Sequence, residues 1–269
     1  MVGSLLLRGM LVGVLAGLVA FGFARLYGEP QVALAIAFEE ASGGHSHAEP
    51  APAAAHSHDG HAHAGEAHDH GPAAADEEVF SRATQAGPGL LVALTVYGAA
   101  MGGLLALVFA FANGRLGALS PRAVASLLAL AAFVALVLVP GLKYPPNPPA
   151  VGDAATIGLR TRLFFLMLSA SLIALVGAVA LARRLAARNG AWNGSLIAAL
   201  VYVAVIAGVM ALLPAIDEVP DGFSASLLWQ FRLSALGLQA VLWGVMGIAF
   251  GAWVEYAPLS SRPRLAPAH

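Results

Sequence analysis

The chain contains no cysteine among its 269 residues. Disulfides, thiolate metal sites and thiol redox chemistry are thereby excluded. A bound metal would have to be held by imidazole, carboxylate, carbonyl or thioether, a donor set that disfavours Cu(I). Charge is also scarce. Asp, Glu, Lys and Arg make up 11% of the chain against 59% hydrophobic residues, whereas soluble domains carry about 25% charged residues. With a mean hydropathy of +0.77, this composition points to an all-α, polytopic integral membrane protein whose first partner is the lipid bilayer. No Walker A sequence or dinucleotide fingerprint occurs, so the chain has no visible means of using ATP itself. No nucleic-acid partner is expected.

Six apolar segments are long enough to cross a hydrocarbon core of about 30 Å: residues 5–26, 89–112, 123–142, 163–182, 195–213 and 233–253. The first reads as a retained helix, because its apolar run exceeds the roughly 7–15 residues of a signal-peptide core. These spans lack charge at their centres: no Asp, Glu, Lys, Arg or His lies near the middle of any of them. A proton relay, which uses such groups, gains no support. With no nucleophile, base or catalytic metal constellation inside the spans, an enzyme is not expected. Met10, Met101, Met167, Met210 and Met246 lie at different depths and read as packing residues. Gln239, Asn113, Ser169 and Ser171 are the other polar candidates for a path.

The loops decide the expected orientation. With the N-terminus in the cytoplasm, Arg8, Arg115, Arg122, Arg183, Arg184, Arg188, Arg262 and Arg264 lie inside. Arg25, Arg82, Lys143, Arg160, Arg162 and Arg232 lie outside, as do fourteen of the fifteen acids, Glu255 being the exception. Both termini are therefore expected in the cytoplasm. Close-packing signatures accompany the spans: Gly9, Gly13 and Gly17 form a stripe, and the pairs Gly98 with Gly102 and Gly247 with Gly251 repeat its spacing.

What is abundant is histidine, in one place. Eight of the nine histidines form four H-x-H pairs: His45 with His47, His56 with His58, His61 with His63, and His68 with His70. The only apolar residue in this stretch is alanine. In an extended backbone residues i and i+2 point to the same side, so each pair can chelate one ion. Such a tract buries too little apolar surface to offset its ordering entropy and is expected to be disordered without metal. Imidazole suits Co2+, Ni2+, Zn2+ and Cu2+ without choosing among them. The alternative is a polar spacer. The organisation is thus a first transmembrane helix (1–27), an interfacial segment (28–41), a histidine-rich loop (42–78) and a five-helix bundle (79–269).

Three further outer segments hold the remaining polar chemistry. Glu29, Glu39 and Glu40 belong to the segment after the first helix; Asp217, Glu218 and Asp221 lie in the loop after the fifth. Between them runs a proline-rich loop, 140–153, stiff and rich in free carbonyls around Asn147. Clustered carboxylates and carbonyls are what a hard or borderline divalent cation needs as it sheds water. Pairing of these acids with Arg25, Arg160, Arg162 and Arg232 is the other possibility.

On these segments the chain resembles the CbtA family. The motifs are R-G-M-L-x-G-x-L-A-G at 8–17, G-E-P at 28–30, A-I-A-F-E-E at 35–40, L-K-Y-P-P-N-P-P-A-V-G-D at 142–153, T-I-G-L-R at 156–160, L-P-A-I-D-E-V-P-D-G-F at 213–223 and W-Q-F-R at 229–232. The resemblance implies the membrane subunit of a bacterial cobalt uptake system linked to cobalamin synthesis, with Co2+ as substrate. It also implies a small single-span, histidine-rich CbtB-like partner, and five spans rather than six. A non-conducting module that binds or buffers metal, and an importer of Ni2+ or Zn2+, are the other readings.

Overall fold

The computed structural model describes residues 2–43 and 81–257, and among these the chain is helix and loop with no strand. Helix α1 (Val2–Phe23) passes through a π turn (Ala24–Gly28) directly into α2 (Glu29–Gly43). The two form one apolar helix, Val2–Ser42, of 41 residues, which at 1.5 Å per residue is about twice the hydrocarbon thickness. The segment expected as a separate interfacial piece is therefore the direct continuation of the first helix. Helix α3 (Leu90–Ala112) follows a short turn (Arg82–Thr84) and a second π turn (Gln85–Gly89). Helix α4 (Pro121–Ala132) runs through a third π segment (Phe133–Leu138) into α5 (Val139–Lys143). Then come α6 (Ile157–Leu212) and α7 (Ala225–Tyr256).

The three π segments have a common sequence cause. Pro30 and Pro140 lie just after the first and third, and Pro88 lies inside the second. A proline within a helix lacks the N–H its turn needs and crowds the preceding carbonyls, and local widening accommodates it without breaking the helix. Starts are fixed by capping. Ser120 and Ser224 accept hydrogen bonds from the Ala123 and Leu227 amides at 3.2 and 3.4 Å, and Pro121 occupies the first turn of α4, where no N–H is missed.

Helices α1, α3, α4 and α7 form a packed quartet. The stripe of Gly9, Gly13 and Gly17 on α1 lies on the backbone of α3 at Gly102, Gly98 and Leu94, so closely that a Cβ on any of the three would collide with a carbonyl oxygen. In lipid this close approach is what holds helices together, because burying apolar surface yields little there. Helix α7 does the same to α4: a Cβ on Gly247 would meet that of Ala129 at 2.8 Å. Phe109 and Phe250 meet edge-to-face at 5.3 Å, packed with Leu242, Trp243 and Met246.

Helix α6 is not one span but a hairpin. At Gly190 the backbone takes φ 79° and ψ 157°, a left-handed conformation that glycine adopts without a Cβ penalty, and the chain reverses. Two contacts show the arms to be antiparallel. A Cβ on Gly194 would lie 2.7 Å from the Ala186 nitrogen, and Ser171 Oγ is 2.9 Å from Tyr202 Oη. Among the described residues five continuous helices are thus long and apolar enough to cross a membrane, and the longest holds two of the six apolar runs. Five and six describe the same chain. The hairpin touches the rest mainly along one seam, where Met167 and Ile206 pack with Val134 and Val139.

The two ends of the bundle differ. One face gathers α2, the start of α3, loops 144–156 and 213–224, and the start of α7. The opposite face gathers both ends of the described chain, joined where Arg8 donates to the Ala257 carbonyl and lies over Trp253.

Candidate functional site

On the first of these faces the three polar segments singled out in the sequence meet. Tyr144 Oη donates to the Pro214 carbonyl at 2.9 Å, tying the proline-rich loop to the end of the hairpin. Glu218 Oε2 accepts the Asp153 amide at 2.9 Å and lies 3.4 Å from Arg160 Nε. Arg160 also donates through Nη2 to the Asp153 carbonyl at 3.0 Å. At the head of α7, Arg232 Nη2 donates to Asn147 Oδ1 at 3.0 Å. Helix α2 closes the arrangement. Ala35 is buried with Val151 and Phe223, and Phe38 meets Phe223 edge-to-face at 5.0 Å. That contact sets the turn bearing Glu39 and Glu40 beside the loop bearing Asp221.

The acids divide into two groups. Glu29 is half-buried in an ion pair with Arg82 at 2.5 Å, and Glu218 is half-buried in the contacts above, so these two fasten the fold. The anticipated pairing with Arg160 therefore occurs at Glu218. Glu39, Glu40, Asp217 and Asp221 are exposed and have no hydrogen-bond or ion-pair partner among the described residues. No three Asp, Glu or His side chains among the described residues are gathered closely enough to hold one ion. Of the six carboxylates expected to form one mouth, Glu29 and Glu218 are engaged by Arg82 and Arg160, and Glu39, Glu40, Asp217 and Asp221 remain unpaired among the described residues. Exposed carboxylates of this kind can attract a hydrated cation.

The histidine pairs are a separate matter. His45, His47, His56, His58, His61, His63, His68 and His70 all lie outside the described residues, so none of these eight candidate ligands has a place in the geometry above. Their tract joins Gly43 to Ser81, whose helices both end on this face.

Glu218 is held below the usual carboxylate range, first by the Asp153 amide, then by the Thr156 side chain, with Arg160 adding to both. Burial pushes the Tyr144 phenol upward, which keeps it a neutral donor to Pro214. Sequence reasoning did not single out Tyr144, Asp153 or Thr156 as ties. Their positions inside the two longest motifs, 142–153 and 156–160, were the available signal.

Inside the membrane-spanning part the polar groups are few. Ser171 is fully buried against Tyr202, one turn from the fully buried Met167. Gln239 Oε1 and Trp243 Nε1, on one face of α7, are buried without a hydrogen-bond partner among the described residues. These positions do not add up to a charged relay.

A family profile described as probable cobalt transporter subunit (CbtA) matches residues 2–255. No curated protein and no solved structure matches the chain.

Proposed function

The chain belongs to the CbtA family of probable cobalt transporter subunits, and from that premise we propose that it is the membrane subunit through which Co2+ enters a bacterial cell, serving cobalamin synthesis. The loop-rich face is read as the outer, periplasmic one, with both termini cytoplasmic in the inner membrane. The four histidine pairs, from His45 and His47 to His68 and His70, capture the ion from dilute solution. The unpaired carboxylates of Glu39, Glu40, Asp217 and Asp221 then draw it onto the protein, beside the carbonyl-rich loop around Asn147. Glu29 and Glu218 position this mouth through Arg82 and Arg160. The observation that carries the reading is the Phe38–Phe223 contact, which sets two acidic segments far apart in sequence side by side. An inside-negative potential favours entry by about 2.3 kcal/mol per charge per 100 mV, hence about 4.6 for a divalent ion. That suffices for uptake without ATP. A small single-span, histidine-rich CbtB-like chain is the proposed partner.

The experiment is Co2+ uptake as a function of metal concentration, in cells making the chain with and without that partner. Ni2+ and Zn2+ in parallel establish selectivity, since imidazole alone does not choose cobalt. Deleting residues 43–75 should lower uptake at scarce Co2+ and leave it intact at abundant Co2+. Lowering the pH below about 5.5 should mimic the deletion, because unperturbed histidine titrates near 6.5. Equal loss at every concentration would place the tract on the obligatory route. The absence of charged groups from the centres of the spans favours a second reading, a membrane module that binds metal and conducts nothing. Sealed proteoliposomes that bind Co2+ only at their surface would establish it.

A further inference from the structure

The tip of the α6 hairpin points away from the mouth and carries chemistry that metal uptake does not use. Arg183, Arg184 and Arg188 project there, all exposed, and none has a hydrogen-bond or ion-pair partner among the described residues. Arg184 and Arg188 are one turn apart on one helix face, a like-charge spacing that destabilises a helix unless an anion intervenes. The helix C-terminus at Gly190 relieves this for Arg188, but the macrodipole fades within the last turn. Arg183 and Arg184 line a shallow recess with Ala180, of about 390 Å³. Two other cations of this face differ: Arg8 is engaged by the Ala257 carbonyl and Trp253, and Arg115 by the Phe111 carbonyl and ring, whereas Arg122 is exposed with no hydrogen-bond or ion-pair partner among the described residues. Glu255 is the one acid of this face among the described residues.

Two features say what the missing anion is. The arms are apolar up to Ala182, so the arginines stand where a bilayer's headgroups begin. Trp192, just beyond the tip, is 81% exposed, as expected of an aromatic ring anchored at a membrane–water interface. We propose that the hairpin tip is a binding site for the phosphodiester headgroup of an anionic phospholipid, held by Arg183, Arg184 and Arg188 with Trp192 seated at the same level. Because the hairpin otherwise leans on the bundle along a single seam, the bound headgroup fixes its attitude in the membrane. This inference goes beyond the transport reading and does not depend on which ion is carried.

The test uses the full-length chain in a neutral detergent, titrated with phosphatidylglycerol, phosphatidylcholine or inorganic phosphate while its melting temperature is followed. Phosphatidylglycerol should raise the melting temperature of the wild type, and neither of the others should. Each arginine near a membrane surface strengthens anionic-lipid binding about fivefold, so R183Q/R184Q/R188Q should weaken it by about a hundredfold and R188Q alone by about fivefold. Substitution at these exposed positions should leave the lipid-free melting temperature unchanged. Arg→Lys at all three should restore most of the effect, because the attraction is electrostatic. Undiminished phosphatidylglycerol binding by the triple variant, or an equal shift with phosphatidylcholine, would overturn the proposal. An equal shift with inorganic phosphate would overturn the lipid as occupant and make the tip a free-anion site.

Discussion

The α1/α3 pair and the two arms of α6 are both antiparallel helix pairs, yet they are held in different ways. In α1/α3 glycines bring backbone onto backbone at three successive levels, Gly9, Gly13 and Gly17. In the hairpin such an approach occurs beside the turn, at Gly194, but farther along the arms a Cβ on Gly177 or Gly208 would meet nothing within 4 Å. The arms are joined by the Gly190 turn with the Gly194 approach beside it, the Ser171–Tyr202 hydrogen bond and the Glu218–Arg160 ion pair at the loop face. In lipid, where apolar burial drives little, backbone proximity and polar contacts must do the holding. The quartet relies on the first along its length, and the hairpin, away from its turn, on the second. The quartet is thus a scaffold, and the hairpin is an element positioned at its ends, where the candidate site lies.

The largest effect that could break this contrast comes from the glycine stripe. Gly13→Leu should force α1 and α3 apart and destabilise the protein by about 3 kcal/mol, whereas Gly177→Leu on the hairpin should change stability by no more than about 0.5 kcal/mol. Thermal unfolding in detergent compares the two, and similar losses would mean the hairpin is packed as tightly as the quartet. A smaller effect should follow Tyr202→Phe, which leaves the buried Ser171 hydroxyl without its partner and costs about 1 kcal/mol. Ser171→Ala in the same protein should recover most of that loss, a pattern that a general packing defect would not give.

The smallest effect is a local one of pH. Glu218 has a folded pKa lowered from 4.5, so its contribution is fully present above that value and is lost as pH falls through the lower folded value. Hydrogen exchange at the Asp153 amide should accelerate relative to its intrinsic rate in that acid window, while α1 and α3 stay protected. Glu218→Gln should abolish the pH dependence. Uniform acceleration across both helix pairs would make acid unfolding global and remove the distinction.

Much of this was legible in the residues. The six apolar runs and the glycine stripe predicted the spans and the tightest crossing, because length and small-residue spacing are local properties. The reversal of the longest continuous helix, at Gly190, falls between two of those runs, though the residues that make it were not singled out. What the sequence could not settle was which surfaces meet. Gly247 and Gly251 announced a close approach without naming α4 as its partner. The acids of 213–223 looked alike, yet Glu218 faces Asp153 and Arg160 while Asp217 and Asp221 face outward, a division set by loop geometry alone. Continuity of α1 with α2 was hidden for a related reason: Gly28 and Pro30 read as a break, and a π turn absorbs them.

The central claim is that the unpaired carboxylates beside the hairpin's open end receive Co2+ for import. The direct measurement is the initial rate of Co2+ uptake, at metal well below saturation and with an inside-negative potential, into proteoliposomes holding the chain and its partner subunit. The quadruple variant E39Q/E40Q/D217N/D221N should import about tenfold more slowly than the wild type, with an unchanged melting temperature because these side chains have no hydrogen-bond or ion-pair partner among the described residues. Uptake equal to the wild type would contradict the account: the four carboxylates would then be solvated rim charges, and the ion would enter elsewhere.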